Sequence, residues 1–270
     1  MDNQESRVGN RQSAYSNQQS GTGNRKSVLI LGATTGIGRA LAAEFAAHHY
    51  DVLITGRDPG ELEALAADLT LRFGSSVGTH CLEVTDFAQI APVLETCLAR
   101  AGDSLAGVVV SIGYLGDAEA ARSDSEEALR ILETNFTGPV LALNFVAGYL
   151  ERKRRGFLCA LGSVAGDRGR QSNYLYGAAK AGLAACLGGL RQRLHPAGVR
   201  VITVKPGFVD TRMTYGRPRL FLVASTERVA RGIYRAIARG QDVVYLPWFW
   251  KYIMLTVRAL PERMFKRLRA

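Results

Sequence analysis

Tyr176 and Lys180 stand four residues apart in the stretch Ser172-Asn-Tyr-Leu-Tyr-Gly-Ala-Ala-Lys180. On a helix that spacing places both side chains on one face, about 5–6 Å apart at Cβ. A cation beside a phenol favours the phenolate, which makes the pair a proton donor usable near neutral pH. Tyr174, two residues earlier, points off that face and is expected to take no part. The pair does chemistry only beside a hydride source and a carbonyl site; otherwise it is two solvated helix positions.

A hydride source is suggested far upstream. The apolar run Val28-Leu29-Ile30-Leu31 leads into Gly32-Ala-Thr-Thr-Gly36-Ile-Gly38. Glycines at a strand-to-helix junction allow a sharp turn and let a pyrophosphate approach backbone N–H groups at the positive end of a helix. The expected cofactor contacts are Gly32, Thr34, Thr35, Gly36, Ile37 and Gly38. About 20 residues on, NAD-preferring sites carry an acidic residue for the ribose 2′-OH. Here that place holds Gly56 followed by Arg57. A carboxylate would repel a 2′-phosphate and a guanidinium would grip it, so NADP(H) is expected over NAD(H).

These residues need a scaffold. Strands are expected at 28–31, 51–55, 77–84, 107–111, 156–163, 199–204 and 243–246, from short apolar runs bounded by turn residues. Helices are expected at 36–48, 59–73, 86–100, 125–132, 139–152, 174–194 and 226–238, with Pro59 in a first turn and Asp86 as an N-cap. Alternation of this kind calls for an α/β fold, a doubly wound parallel sheet of Rossmann type in a single domain. Residues 27–246 form that domain. Residues 1–26, rich in Asn, Gln, Ser and Gly, are expected to be a disordered polar tail. Residues 247–270 are a basic, aromatic C-terminal segment.

Taken in order, Gly32–Gly38, Ser163, Tyr176-Gly-Ala-Ala-Lys180 and Pro206-Gly207 resemble the short-chain dehydrogenase/reductase family over residues 27–245. The resemblance implies that Tyr176 exchanges a proton with the substrate oxygen. It implies that Lys180 binds the nicotinamide ribose and lowers the Tyr176 pKa. Ser163 would hydrogen-bond the same oxygen, and Asn135 would hold a water of a proton relay. Val209 and Thr211 would lie against the cofactor carboxamide, with Pro206 and Gly207 also in the cofactor site, and Gly113, Glu83 and Val84 against its adenosine half. Two departures stand out. The usual Asn-Asn-Ala-Gly is here Val110-Ser-Ile-Gly113, and Glu83 replaces a commoner Asp. Neither touches the proton donor. More loosely, residues 107–270 resemble the reductase partner of the decaprenylphosphoryl-ribose 2-epimerase, which acts on a keto pentose carried on a polyprenyl phosphate.

The 270 residues carry a net charge of +10, and its distribution is uneven. Residues 211–270 hold thirteen Lys or Arg against Glu227, Asp242 and Glu262, an excess equal to that of the whole chain. A local basic surface is therefore expected, and no nucleic-acid coat. The four cysteines are scattered and the four histidines show no metal-ligand spacing, so a reduced, metal-free, cytoplasmic chain is expected. The N-terminus has no apolar segment, so no secretory signal is expected.

The expected activity is hydride transfer between NADP(H), or NAD(H), and a ketone or secondary alcohol, with a small-molecule or lipid-linked substrate. A reductase of another bulky apolar ketone or ketoacyl group is the alternative, and a non-catalytic nucleotide-binding regulatory subunit is the alternative of another class. Trp248–Val257 with its flanking cations suits a lid, a subunit contact or a peripheral membrane contact. The small residues of helices 139–152 and 174–194 allow close helix packing, and the family resemblance implies a homodimer or homotetramer through them.

Overall fold

A computed structural model describes residues 25–34, 36–213 and 222–268. Strands and helices alternate as β1 (Ser27–Leu31), α1 (Gly36–Ala47), β2 (Asp51–Gly56), α2 (Pro59–Phe73), β3 (Val77–Cys81), α3 (Phe87–Ala101) and β4 (Leu105–Val110). They continue as α4 (Ser125–Leu132), α5 (Gly138–Lys153), β5 (Phe157–Leu161), α6 (Tyr174–Leu194), β6 (Arg200–Pro206), α7 (Thr226–Ala238) and β7 (Val243–Leu246). Two helices follow, α8 (Trp250–Ala259) and the single turn α9 (Glu262–Phe265).

All seven strands are parallel, in the order β3-β2-β1-β4-β5-β6-β7. The order reverses between β1 and β4, which opens a crevice at the C-terminal ends of those strands. β1 and β5 are buried along their whole length, as a sheet covered on both faces requires. One core packs α3, α5 and α6 on one face; the other packs α1, α2 and α7 on the opposite face. The chain is thus the α/β Rossmann-type fold that the alternating pattern predicts.

Local chemistry sets the element ends. Asp58 caps α2 by accepting from the Glu61 N–H at 3.0 Å, Pro59 opens the helix, and Gly74 closes it at φ 61°. Several boundaries differ from expectation, and three differences bear on the site. β3 stops at Cys81 after a last ladder bond from the Leu82 N–H to the Gly56 carbonyl, and Leu82 and Val84 bury themselves beneath α3. β5 stops at Leu161, so Ser163 lies beyond the sheet at the head of a 3-10 turn (Val164–Asp167). Asp86 precedes α3 but does not cap it; its carboxylate accepts from the Gln89 amide at 2.6 Å. Of the polar tail at 1–26, all but Arg25 and Lys26 lies outside the described residues.

Candidate active site

Two cavities meet at the β1/β4 crevice. The larger, about 620 Å³, runs from Gly32 and Thr34 past Arg57, Glu83 and Val84 to Gly113. The smaller, about 150 Å³, is lined by Gly36, Ile37, Ser163, Tyr176, Lys180, Pro206, Gly207, Val209 and Thr211. Gly113 and Arg212 border both.

The glycine turn is built for close approach. Gly32 and Gly36 adopt φ 80° and 52°, a region that favours glycine. A Cβ on Gly38 would stand 2.0 Å from the Gly32 carbonyl oxygen, so α1 can begin here only with a glycine. Thr35 lies outside the described residues. A Cβ on Gly56 would stand 2.7 Å from Thr34 Cγ2. The place where an acidic side chain would meet a ribose 2′-OH is therefore closed by Thr34. Beside it, Arg57 is exposed at the cavity rim, 3.7 Å from Glu83 Oε2. Glu83 Oε1 accepts from the Thr85 N–H and hydroxyl at 3.1 and 2.8 Å. Those bonds hold Glu83 in place beside the exposed Arg57 guanidinium.

The smaller cavity gathers the side chains of the Tyr176 set. Lys180 is buried on α6 and donates from Nζ to the carbonyls of Leu161 (3.1 Å) and Ile112 (3.2 Å). Burial lowers its pKa to about 8. Nζ lies 5.8 Å from the centroid of the Tyr176 ring. Burial raises the Tyr176 pKa, and a hydrogen bond with Ser163 partly offsets this. Ser163 Oγ also accepts from the Ala165 N–H at 3.1 Å, which holds its rotamer. In the protein alone Lys180 Nζ is turned toward two backbone carbonyls, and the group that favours the Tyr176 phenolate is Ser163. Tyr174 is 44% exposed and lines neither of these cavities.

Asn135 is fully buried in a π-helical turn (Glu133–Thr137) between α4 and α5, a widening of the helix that recurs at functional sites. Its amide donates to the carbonyls of Tyr114 (2.5 Å) and Ile131 (2.8 Å), and its Oδ1 accepts from the Tyr114 N–H at 3.1 Å. The side chain ties α4 to the loop that carries Gly113. Val110-Ser-Ile-Gly113 keeps the crevice intact because its backbone does the work: Ser111 N–H bonds the Leu31 carbonyl, and the Ile112 carbonyl receives Lys180.

Several site residues escape a reading of the sequence. Tyr114 donates to Glu127 at 2.9 Å and lies under the Arg130 guanidinium, 4.6 Å from ring centroid to charge. Arg212, 3.6 Å from Glu61, reaches both cavities from the segment that carries Thr211. Only its neighbourhood in Pro206-Gly-Phe-Val-Asp-Thr-Arg could have flagged it. Trp250 packs edge-on against Phe208, with ring centroids 5.3 Å apart, and its indole fills the space where Gly207 would carry a Cβ.

Fold and site together define a dinucleotide-binding oxidoreductase: a glycine-turn crevice leading into a smaller cavity with a phenol, a hydroxyl and an amine. The profile for "short chain dehydrogenase" matches residues 26–219, and the chain belongs to that family. An uncharacterized oxidoreductase of Mycobacterium tuberculosis is 35% identical over 241 residues, covering 89% of this chain and 96% of that protein. The 3-oxoacyl-[acyl-carrier-protein] reductase of Escherichia coli is 34% identical over 189 residues, 70% of this chain and 75% of that protein. Among solved structures, a short-chain dehydrogenase from Sphingobium yanoikuyae in complex with NADPH aligns with a TM-score of 0.76 at 24% identity, over 88% of this chain and 97% of that one. The fold is the same.

Proposed function

We propose that this protein is an NADPH-preferring reductase of a ketone, or the corresponding alcohol dehydrogenase in reverse. One observation carries the reading: Ser163, Tyr176 and Lys180 converge in a cavity continuous with the glycine-turn crevice. The crevice suits a dinucleotide. Its glycines leave room for a pyrophosphate against the N-terminus of α1, and Arg57 and Arg212 offer cations where phosphates would lie. Gly56 with Arg57, in place of an acidic residue, supports NADPH over NADH. Bound there, the nicotinamide supplies the hydride.

The protein's own groups handle the oxygen. Ser163 would donate a hydrogen bond to the substrate carbonyl, and the Tyr176 phenol would give it a proton as the carbon accepts hydride. A raised pKa keeps that phenol protonated at neutral pH, the state a reduction needs. Lys180 would hold the cofactor ribose hydroxyls and, when charged, stabilise the tyrosinate left behind. Pro206, Gly207, Val209 and Thr211 would bound the carboxamide, and Glu83, Val84 and Gly113 the adenosine half.

For the substrate we favour a keto sugar on a polyprenyl-phosphate carrier, supported by the resemblance over residues 107–270 and by the basic, aromatic end of the chain. The protein would then work in the cytoplasm, peripherally at the membrane surface, as a homodimer or homotetramer through α5 and α6. A second reading, reduction of a ketoacyl or other bulky apolar ketone, is favoured by the identity with the Escherichia coli reductase. Oxidation of NADPH and NADH over a panel of keto sugars, ketoacyl thioesters and apolar ketones tests these readings. NADPH turnover at least about tenfold more efficient than NADH is expected from one charge-assisted contact. Equal efficiency would overturn the cofactor assignment, and no turnover on any ketone would overturn the reaction.

A further inference from the structure

The C-terminal segment folds as an amphipathic arm with two distinct faces. Its inner face, Trp250, Ile253, Met254 and Val257, follows helical i, i+3, i+4, i+7 spacing and packs on Val164, Phe208 and Tyr245. Arg168, in the loop between Ser163 and Tyr176, donates to the carbonyls of Val257 and Leu260, both at 2.6 Å. It also donates to Glu262 at 2.9 Å and lies 3.8 Å from the centroid of the Phe265 ring. The arm is therefore fastened beside the reaction cavity, yet lines neither cavity of the crevice. That placement argues against a lid.

Its outer face gathers exposed aromatic and alkyl groups among cations. Trp248, just before α8, and Tyr252 and Leu255 on it are 68%, 59% and 65% exposed on one side, and Met264 and Leu268 are exposed beyond it. Lys251, Arg258, Arg263, Lys266 and Arg267 are exposed among them. Within 247–268 the single acidic residue, Glu262, is held by Arg168. A face of exposed indole, phenol and alkyl groups interleaved with cations matches the headgroup layer of an anionic bilayer, where aromatics sit at the interface and cations meet lipid phosphates. A second copy of the same face would bring five cations against five.

We infer that this outer face is a docking surface for an anionic lipid bilayer, and that docking sets the reaction cavity close to the membrane. The inference deepens the lipid-linked substrate reading and rests on it for its purpose, though its test requires no turnover. The helix lies in the surface rather than across it; no helix among the described residues is long and apolar enough to span a membrane.

The chain has only two tryptophans, and Trp250 is buried, so Trp248 reports contact directly. The full chain is titrated with vesicles of phosphatidylglycerol and phosphatidylcholine, and with vesicles of phosphatidylcholine alone, following tryptophan emission and co-flotation. Blue-shifted emission that W248F lacks is expected, with binding at least about tenfold stronger to the anionic vesicles at low salt. The variant W248A/Y252A/L255A, altered only at exposed positions, is expected to lose about tenfold in vesicle affinity while its cofactor affinity and thermal transition stay unchanged. Negligible binding of the full chain to anionic vesicles would overturn the inference, as would undiminished binding by the triple variant. A drop in oligomer size in that variant, measured by light scattering, would instead assign the face to a second copy. Vesicle binding without ketone turnover would leave the surface standing and sink the reductase reading alone.

Discussion

The adenosine side of the crevice and the reaction side are built on opposite terms. The first is a cavity of about 620 Å³ framed by backbone turns, with the exposed cations Arg57 and Arg212 at its rim. The second is about 150 Å³, and its working groups are held tightly: Lys180 by two carbonyls, Ser163 by the Ala165 N–H, and the facing loop by Asn135. Recognition of a flexible, charged ligand tolerates exposed groups, whereas proton transfer requires fixed distances and little water. Substitutions on the two sides should therefore fail in different ways.

The largest effect on cofactor binding is expected where the first side depends on backbone. Gly38→Ala forces a Cβ to 2.0 Å from the Gly32 oxygen. Displacing the turn should weaken NADPH binding about a hundredfold or more, read by fluorescence titration, with a stability loss of about 3 kcal/mol. Retained affinity would show that the turn is more pliable than the contrast allows.

The next effect belongs to the buried side. The Lys180 pKa falls from an ordinary 10.5 to about 8 in the folded protein. Between those values the unfolded chain binds more protons than the folded one, so stability rises with pH across that window. Below pH 8 the cost of burying the charge is fully present, about 3 kcal/mol for a group this buried. Cys97 and Tyr245, each pushed up to about 12, act in the opposite sense above their ordinary values. The informative quantity is thus the difference between the wild type and Lys180→Met, both free of cofactor. The wild type should gain stability relative to the variant from pH 8 to 10.5, measured by chemical denaturation. A flat difference would mean that Lys180 remains charged in the fold.

The smallest effect is expected at the exposed rim. Arg57→Ala should reduce the NADPH-to-NADH preference about tenfold and weaken its dependence on salt, with kcat on the preferred cofactor nearly unchanged. An unchanged preference would point to Arg212 as the phosphate contact.

What the sequence makes legible follows from how local each feature is. The ends of α2, α4, α6 and α7 fall where expected because capping residues, Pro59 and helical spacing act within a few positions. The choice of Tyr176 over Tyr174 needs only the four-residue spacing to Lys180. The end of β3 is obscured because Leu82 and Val84 are apolar for a different reason, packing beneath α3. Asp86 resembles a cap, but Gln89 engages its carboxylate. The stacking of Arg130 on Tyr114, the seat of Trp250 against Gly207 and the Arg168 clasp join residues 16 to 97 positions apart, and no periodicity records such contacts. The Tyr176 pKa is likewise set by burial, which the Tyr-x-x-x-Lys pattern does not carry.

Replacing Tyr176 with Phe, with Tyr174→Phe as the control, tests the central claim most directly. Both variants keep the ring, and only the first removes the phenol that faces Ser163. Steady-state NADPH oxidation with a turned-over ketone should fall about a thousandfold in Tyr176→Phe, with NADPH affinity within about twofold of the wild type. Tyr174→Phe should leave both quantities within about twofold. Undiminished turnover by Tyr176→Phe, or an equal loss in Tyr174→Phe, would contradict the assignment of the proton donor.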